Sequence, residues 1–370
     1  MRRESKQFYF KLFLFPALRS ILKNAMRAVL LAAGQGLRLR PLTLTKPKAI
    51  VPLANRPSIV RLLEYLRPYE IKEMYINLHY LPEDIKDVVG AGTWWNTRVH
   101  YSYEPELLGT AGAIKKLDKF IGDDKFIVVN TDIATDIDLI EPLEFHETRG
   151  AEVTLIMTRA RPGSGYEHIG VSPGGRILIN KDPNDVVENG IYTGMAIFEP
   201  TVLDIIPQEP SSLLNSVFIP LAEEGGLYAY FQDGYWSDIG TVERYLQVNK
   251  DLINGKVKST IDGRLVGENI WISETSEIDL TVRIEEPALI GRGVSIERGA
   301  LIGPNTVIGN GCYIGPNVKI SNSVVWDGCR IGSSSLIDSC VIADGQQIVP
   351  GQRLKRTVVQ GGIAEPVFNI

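Results

Sequence analysis

The sequence predicts two domains of different class: an α/β domain on a mainly parallel sheet, then a parallel β-helix of hexapeptide repeats. Apolar strand-like runs alternate with helical patterns from residue 28 to about 249, the order that covers a parallel sheet on both faces. After residue 251 aliphatic residues recur every six positions, at Val266, Ile272, Ile278, Ile284, Ile290, Ile296, Ile302, Ile308, Ile314 and Ile320. That period belongs to short flat strands stacked into a coil around one aliphatic ladder.

The first 25 residues stand apart. Arg2, Arg3, Lys6, Lys11, Arg19 and Lys23 against Glu4 give +5, which leaves −10 for the remainder of a chain whose net charge is −5. The apolar stretch 8–18 is broken by Lys11 and Pro16, is too short to span a bilayer and lacks a small-residue cleavage site. It is expected to be a dispensable tail without stable membrane insertion, the functional chain beginning near Met26.

Residues 28–33 form a continuous apolar run, read as a buried strand, and Gly34-Gln35-Gly36 follows it. Glycines there let the backbone turn and bring its N–H groups close to a ligand. Arg38 and Lys48 then place permanent charge where a triphosphate would lie. The Gly-x-x-x-x-Gly-Lys-Ser/Thr loop is absent, and Leu39 stands where a dinucleotide fingerprint needs its third glycine. Further on, 57–66 places Ile59, Leu62, Leu63 and Leu66 on one helical face. Residues 74–78, 126–130 and 152–158 read as strands, and ligand groups collect beyond strand C-termini in such sheets.

Composition limits the alternatives. With 370 residues, 44% hydrophobic and 22% charged, the chain is long enough for two real cores. Its negative net charge gives no attraction to nucleic acid. Cys312, Cys329 and Cys340 are odd in number, widely spaced and without a nearby histidine, so neither a disulfide framework nor a zinc site is suggested. Reduced thiols in a cytoplasmic protein are expected. Beyond Ile320 spacings of five appear, with Ile331, Ile337, Ile342 and Ile348, so the last coils are expected to be distorted or capping.

The stretch Leu-Ala-Ala-Gly-Gln-Gly-Leu-Arg-Leu-Arg-Pro-Leu-Thr, followed by Lys-Pro-Lys and Pro-Leu, resembles the signature of sugar-1-phosphate nucleotidyltransferases. Leu37 stands where that family usually carries a small hydroxyl residue. The resemblance covers residues 26 to about 350 and is nearest to the mannose-1-phosphate guanylyltransferase group, which also carries a hexapeptide domain. It implies a Rossmann-like nucleotidyltransferase domain over 26–250, a linker over 251–264, a left-handed parallel β-helix over 265–355 and a tail over 356–370. It also implies that a sugar 1-phosphate attacks the α-phosphorus of an NTP, giving nucleotide sugar and pyrophosphate.

Carried over residue by residue, the resemblance makes Arg38, Lys48, Asp132 and Asp238 catalytic. Asp132 in Phe-Ile-Val-Val-Asn-Thr-Asp and Asp238 in Gly-Tyr-Trp-Ser-Asp-Ile-Gly-Thr resemble the family's two aspartate ligands for Mg²⁺, a cation that favours hard oxygen donors. Each is also an ordinary turn or cap residue in form. Leu31, Ala33, Gly34 and Gly36 would line the nucleotide, with Gly109, Thr110 and Gly112 of Leu-Gly-Thr-Ala-Gly packing against base or ribose. Gly170, Lys181, Thr193 and Gly194 would face the sugar phosphate. Lys181 resembles the lysine of Glu-Lys-Pro, although Asn180 replaces the glutamate and Asp182 precedes Pro183.

Three readings of function stay open. The first is GDP-mannose synthesis from GTP and mannose 1-phosphate, the second a thymidylyl- or uridylyltransferase acting on glucose 1-phosphate, the third a catalytically silent subunit that binds nucleotide sugar. No histidine follows His168, which disfavours a hexapeptide acyltransferase. The repeats are expected to be structural and to support a homo-oligomer.

Overall fold

The computed structural model describes residues 26–160, 163, 165–179 and 185–366. The chain divides into two compact units that do not follow a single cut. Among the described residues, those up to Gln35 join Leu62–Trp236, and Gly36–Arg61 join those from Ser237 onward. The glycine loop is thus split at Gly36, and the segment carrying Arg38 and Lys48 packs with the repeats.

In the first unit, β1 (Arg27–Leu31), β2 (Glu73–Leu78), β3 (Arg98–Tyr103) and β4 (Phe126–Asn130) are parallel in the order β4-β1-β2-β3. Val29 lies opposite both Tyr75 and Val128. Phe126, Ile127, Val128 and Val129 are all fully buried, as expected of a strand covered on both faces and without alternation. Beyond β4 the sheet turns mixed. After β5 (Val153–Arg159), β6 (Glu188–Phe198) runs antiparallel to β4 and β5, and β7 (Leu227–Phe231) is parallel to β5. The hairpin Ile169–Val171 and Ile177–Leu178 completes nine strands. Ile59, Leu62, Leu63 and Leu66 of the helix Ser58–Leu66 are buried as the periodicity predicts.

In the second unit three sheets of short strands run down the β-helix. Ile290, Ile296, Ile302, Ile308, Ile314 and Ile320 are buried in one core. Val266 is a correction: it is 38% exposed and follows Arg264–Leu265, which pairs antiparallel with Ile270–Ile272. The ladder begins at Ile272, which packs only partly buried against that core.

The later coils depart from the regular period by being shortened. Ile290 pairs with Ile308, eighteen residues on, whereas Ile308 pairs with Val325 and Val325 with Ile342, seventeen on. The missing residue is lost at one corner, where Asn322, Ser339 and Arg356 take φ of 49°, 57° and 49°. The expected tail from 356 is also corrected. Thr357–Gln360 adds a parallel strand, and Ile363–Pro366 folds back antiparallel upon it.

Candidate active site

In the second unit Gly36 opens the basic segment with φ of 63°, a left-handed conformation that glycine adopts freely. A Cβ there would lie 2.9 Å from Thr43 Cγ2 and 3.2 Å from Lys48 Cβ, so the turn also depends on close packing. The Thr43 hydroxyl donates to the Gly36 carbonyl at 2.8 Å and fixes the loop. Arg38 sits exposed on the 3-10 turn Leu37–Leu39, and Lys48, half-buried, begins the turn Lys48–Ile50.

Asp238 ends the short strand Trp236–Asp238, and the residues after it explain the motif. Ile239 is fully buried, and Thr241 caps the helix Val242–Ile253, its hydroxyl accepting from Arg244 N. A Cβ on Gly240 would fall 2.4 Å from Asp238 Oδ2 and 3.2 Å from Arg38 Nη2. The glycine therefore lets a carboxylate and a guanidinium converge on one point. Arg244 Nη1 donates to both Asp238 oxygens, at 3.0 and 3.2 Å.

In the first unit the loops beyond the strand ends are tied together by two polar side chains that the sequence reading does not single out. Ala32 N donates to Asn77 Oδ1 at 2.7 Å, and Asn77 Nδ2 donates to Glu104 Oε1 at 2.8 Å. Glu104 Oε2 accepts from Leu108 N at 3.0 Å. Both side chains are buried. Lone polar residues at strand ends carry no pattern, so only the pairing reveals them.

Asp132 is half-buried, two residues past β4. Leu31 lies opposite Asn130, and Thr131 binds the Leu31 carbonyl through its hydroxyl at 2.9 Å. Asp132 and the glycine loop thus leave the same sheet edge. Ala33 is buried, whereas Gly34 is exposed, and a Cβ on it would meet nothing within 4 Å. Packing does not require a glycine there.

Thr193 and Gly194 fall in the register shift of β6 between Tyr192 and Met195. Such a bulge re-aims the strand beside the sheet edge. The fully buried Thr193 hydroxyl donates to Ile156 O at 2.6 Å, and Trp236 Nε1 donates to Thr193 O at 2.6 Å. Gly194 has φ of 79°, and a Cβ on it would lie 2.7 Å from Asn130 Nδ2. Gly170 would meet Val186 Cγ2 at 2.8 Å. Lys181 lies outside the described residues.

Gly109, Thr110 and Gly112 start the helix Gly109–Lys115, but its first N–H groups are engaged by protein. Ala111 N and Gly112 N donate to Ser211 O at 3.0 and 3.3 Å, while Thr110 Oγ1 accepts from Leu213 N at 2.8 Å. A Cβ on Gly109 would lie 2.4 Å from Ser211 O. These glycines are explained by packing against the 211–213 loop. Their exposed neighbours Leu107 and Thr110 are what a ligand could touch.

Asp132 and Asp238 each carry the hard oxygen donors that Mg²⁺ favours. Among the described residues there is no group of three or more His, Cys, Asp or Glu able to hold a metal by itself, and Mg²⁺ is usually held by one or two carboxylates with waters and substrate phosphates completing the shell. The missing Cβ of Gly240 keeps the approach to Asp238 Oδ2 clear. A cleft of about 750 Å³ lined by Arg56, Asp262, Arg264, Glu274, Arg292 and Asn310, among others, also lies in the second unit. None of the predicted site residues lines it. Arg38 and Asp238, both predicted site residues, instead approach each other at Gly240.

Residues 27–255 match the family described as Nucleotidyl transferase, and residues 267–363 match the EIF2B subunit epsilon LbH domain. A UTP–glucose-1-phosphate uridylyltransferase of Synechocystis sp. is 33% identical over 288 residues, 72% of this chain and 74% of that protein. The mannose-1-phosphate guanyltransferase of Yarrowia lipolytica is 31% identical over 68% of this chain and 73% of its own length. Mannose-1-phosphate guanylyltransferase 1 of Arabidopsis thaliana is 34% identical over the same shares.

Proposed function

The chain belongs to the nucleotidyl transferase family and is a sugar-1-phosphate nucleotidyltransferase, and we propose that it forms GDP-mannose and pyrophosphate from GTP and mannose 1-phosphate. The choice of base and sugar is supported by the fungal and plant relatives named as mannose-1-phosphate guanyl transferases, each aligned over two thirds of this chain. The chemistry rests on one observation, the convergence of Arg38 and Asp238 on Gly240.

In the proposed reaction a sugar-phosphate oxygen attacks the α-phosphorus of the triphosphate. The new P–O bond forms as the bond to the β-phosphate bridging oxygen breaks, and pyrophosphate leaves. No covalent enzyme intermediate is needed. Arg38 and Lys48 hold the triphosphate and offset the charge that builds on the leaving group. Asp132 and Asp238 would hold a Mg²⁺, which when bound neutralises phosphate charge. Gly34 and Gly36 admit the phosphates to the backbone. The resemblance assigns the sugar phosphate to Lys181 and to the segment of Thr193 and Gly194, whose bulge shapes the strand there, and binding energy is spent on alignment.

The test is pyrophosphate release with Mg²⁺, crossing GTP, dTTP, UTP, CTP and ATP with mannose, glucose and N-acetylglucosamine 1-phosphates. Turnover confined to GTP with mannose 1-phosphate is expected, and EDTA should abolish it until Mg²⁺ is restored. The Synechocystis relative supports a second reading, and turnover with UTP and glucose 1-phosphate alone would establish it in place of the first. Silence in every combination from folded protein would overturn both. We also propose a homo-oligomer through the β-helix, which a monomeric sedimentation profile would refute.

A further inference from the structure

The segment that carries Arg38 and Lys48 is attached to successive rungs of the β-helix. Four neighbouring strands of one sheet, Thr306–Ile308, Val324–Val325, Val341–Ile342 and Thr357–Gln360, stack in that order. Each of them, or the residue or two following it, touches the segment. Asn55 Nδ2 donates to Ile308 O at 2.8 Å. Lys46 Nζ sits 5.3 Å from the centre of the Trp326 ring and 2.8 Å from Asp344 Oδ2. Gln360 Nε2 donates to Thr45 Oγ1 at 2.8 Å.

Behind these contacts lies a buried polar chain. Trp326 Nε1 donates to Tyr245 OH at 2.8 Å, and that hydroxyl donates to Pro52 O at 2.7 Å. Trp326 is 1% exposed, so the ring beneath Lys46 is a fixed platform. Lys46 and Lys48 are separated only by Pro47, whose φ of −55° is locked by its ring. A displacement of Lys46 is therefore passed to Lys48 with one fewer soft torsion to absorb it.

We propose that Asp344 and Trp326 are positioning residues for the phosphate-binding segment: they seat Lys46, and Lys46 sets the place of Lys48. The β-helix thereby takes part in catalysis by fixing the basic loop to its side. The inference rests on the reading of Lys48 as a triphosphate ligand. Asp344 is 44% exposed at its side chain and Lys46 25%, so both accept substitution without opening a core.

The experiment is kinetic and thermodynamic on the full chain. Asp344→Lys and Lys46→Asp should each raise KM for the triphosphate about three- to tenfold, in line with the reversal of a partly exposed pair. KM for the sugar phosphate and the melting temperature should hardly move. The double variant Lys46→Asp/Asp344→Lys should recover the part of the loss that the ion pair carries, since a carboxylate over the Trp326 ring forfeits the cation–π contact, and Lys46→Arg should keep near-normal kinetics. A purely structural role would lower the melting temperature and would not be relieved by the swap. Triphosphate affinity by calorimetry gives the same comparison without turnover, so an inactive wild type would overturn the proposed activity and still leave this inference testable. Unchanged KM and Kd in folded Asp344→Lys, or single defects that the double variant does not relieve, would overturn it.

Discussion

Arg244 grips both oxygens of Asp238 with one guanidinium nitrogen, at 3.0 and 3.2 Å, and so sets the orientation of the proposed metal-binding carboxylate. Asp238→Asn keeps the shape but removes the charge, and should lower kcat by on the order of 10² or more. Arg244→Ala should give a smaller loss, since it frees the carboxylate without removing it. Steady-state pyrophosphate release decides, and near-normal turnover in Asp238→Asn would remove that residue from the mechanism.

Gly34 and Gly194 are both glycines of the predicted site, yet they should behave differently. Gly34→Ala meets nothing within 4 Å, so the melting temperature should hold while kcat/KM falls about tenfold or more from disturbed phosphate alignment. Gly194→Ala combines φ of 79° with a contact of 2.7 Å to Asn130, and should destabilise the fold by about 1–3 kcal/mol. Thermal melts beside kinetics separate the two. Wild-type kinetics for Gly34→Ala would show that no ligand uses that space.

Glu104 holds the start of the Gly109 helix and, through Asn77, the loop after β1. Glu104→Ala leaves the Asn77 amide and the Leu108 N–H short of an acceptor in a buried setting, at a cost of about 2–4 kcal/mol. Urea unfolding should show that loss, and KM for the nucleotide should rise with it. A Glu104→Ala protein as stable as wild type would mean that water replaces the carboxylate.

His146 is fully buried between Thr154 Oγ1 at 2.8 Å and Glu199 Oε1 at 3.1 Å. Burial, reinforced by the nearby Lys125 charge, lowers its pKa from the ordinary 6.5 despite Glu199. The unfolded chain therefore takes up a proton before the folded one does. The stability contributed by the neutral ring is complete above about pH 6.5 and is lost as pH falls towards the lower folded value, with a slope of at most about 1.4 kcal/mol per pH unit. Melting temperatures from pH 7.5 to 5.5 should decline, and His146→Gln should flatten that decline. An unaltered slope in the variant would assign it to other groups.

The parts of the fold legible in the sequence are those written as local pattern. The run before Gly34, the strand before Asn130 and the six-residue ladder each declare themselves within a dozen residues. The antiparallel β6 was not legible, since an apolar strand carries no mark of its direction. Nor was the seventeen-residue coil, because nothing distinguishes Asn322, Ser339 and Arg356 as left-handed until the strands on either side are paired. In the site, Asp238-Ile-Gly-Thr was readable because each residue has a local task. Asn77 and Glu104 were not, since their meaning lies in a bond between strands 27 residues apart.

The seats for Asn55, Lys46 and Thr45 along the β-helix behave as marks on a ruler. Adjacent strands of a sheet stand about 4.8 Å apart, and nearest-neighbour stacking lets a solenoid gain or lose a whole turn with its remaining turns intact. Here a turn removed between Ile308 and Gln360 would slide the later marks by one graduation against a loop whose own length is fixed. The number of turns in this stretch is thus a calibrated dimension of the enzyme, and its drift is checked by the reach of a short, proline-stiffened chain.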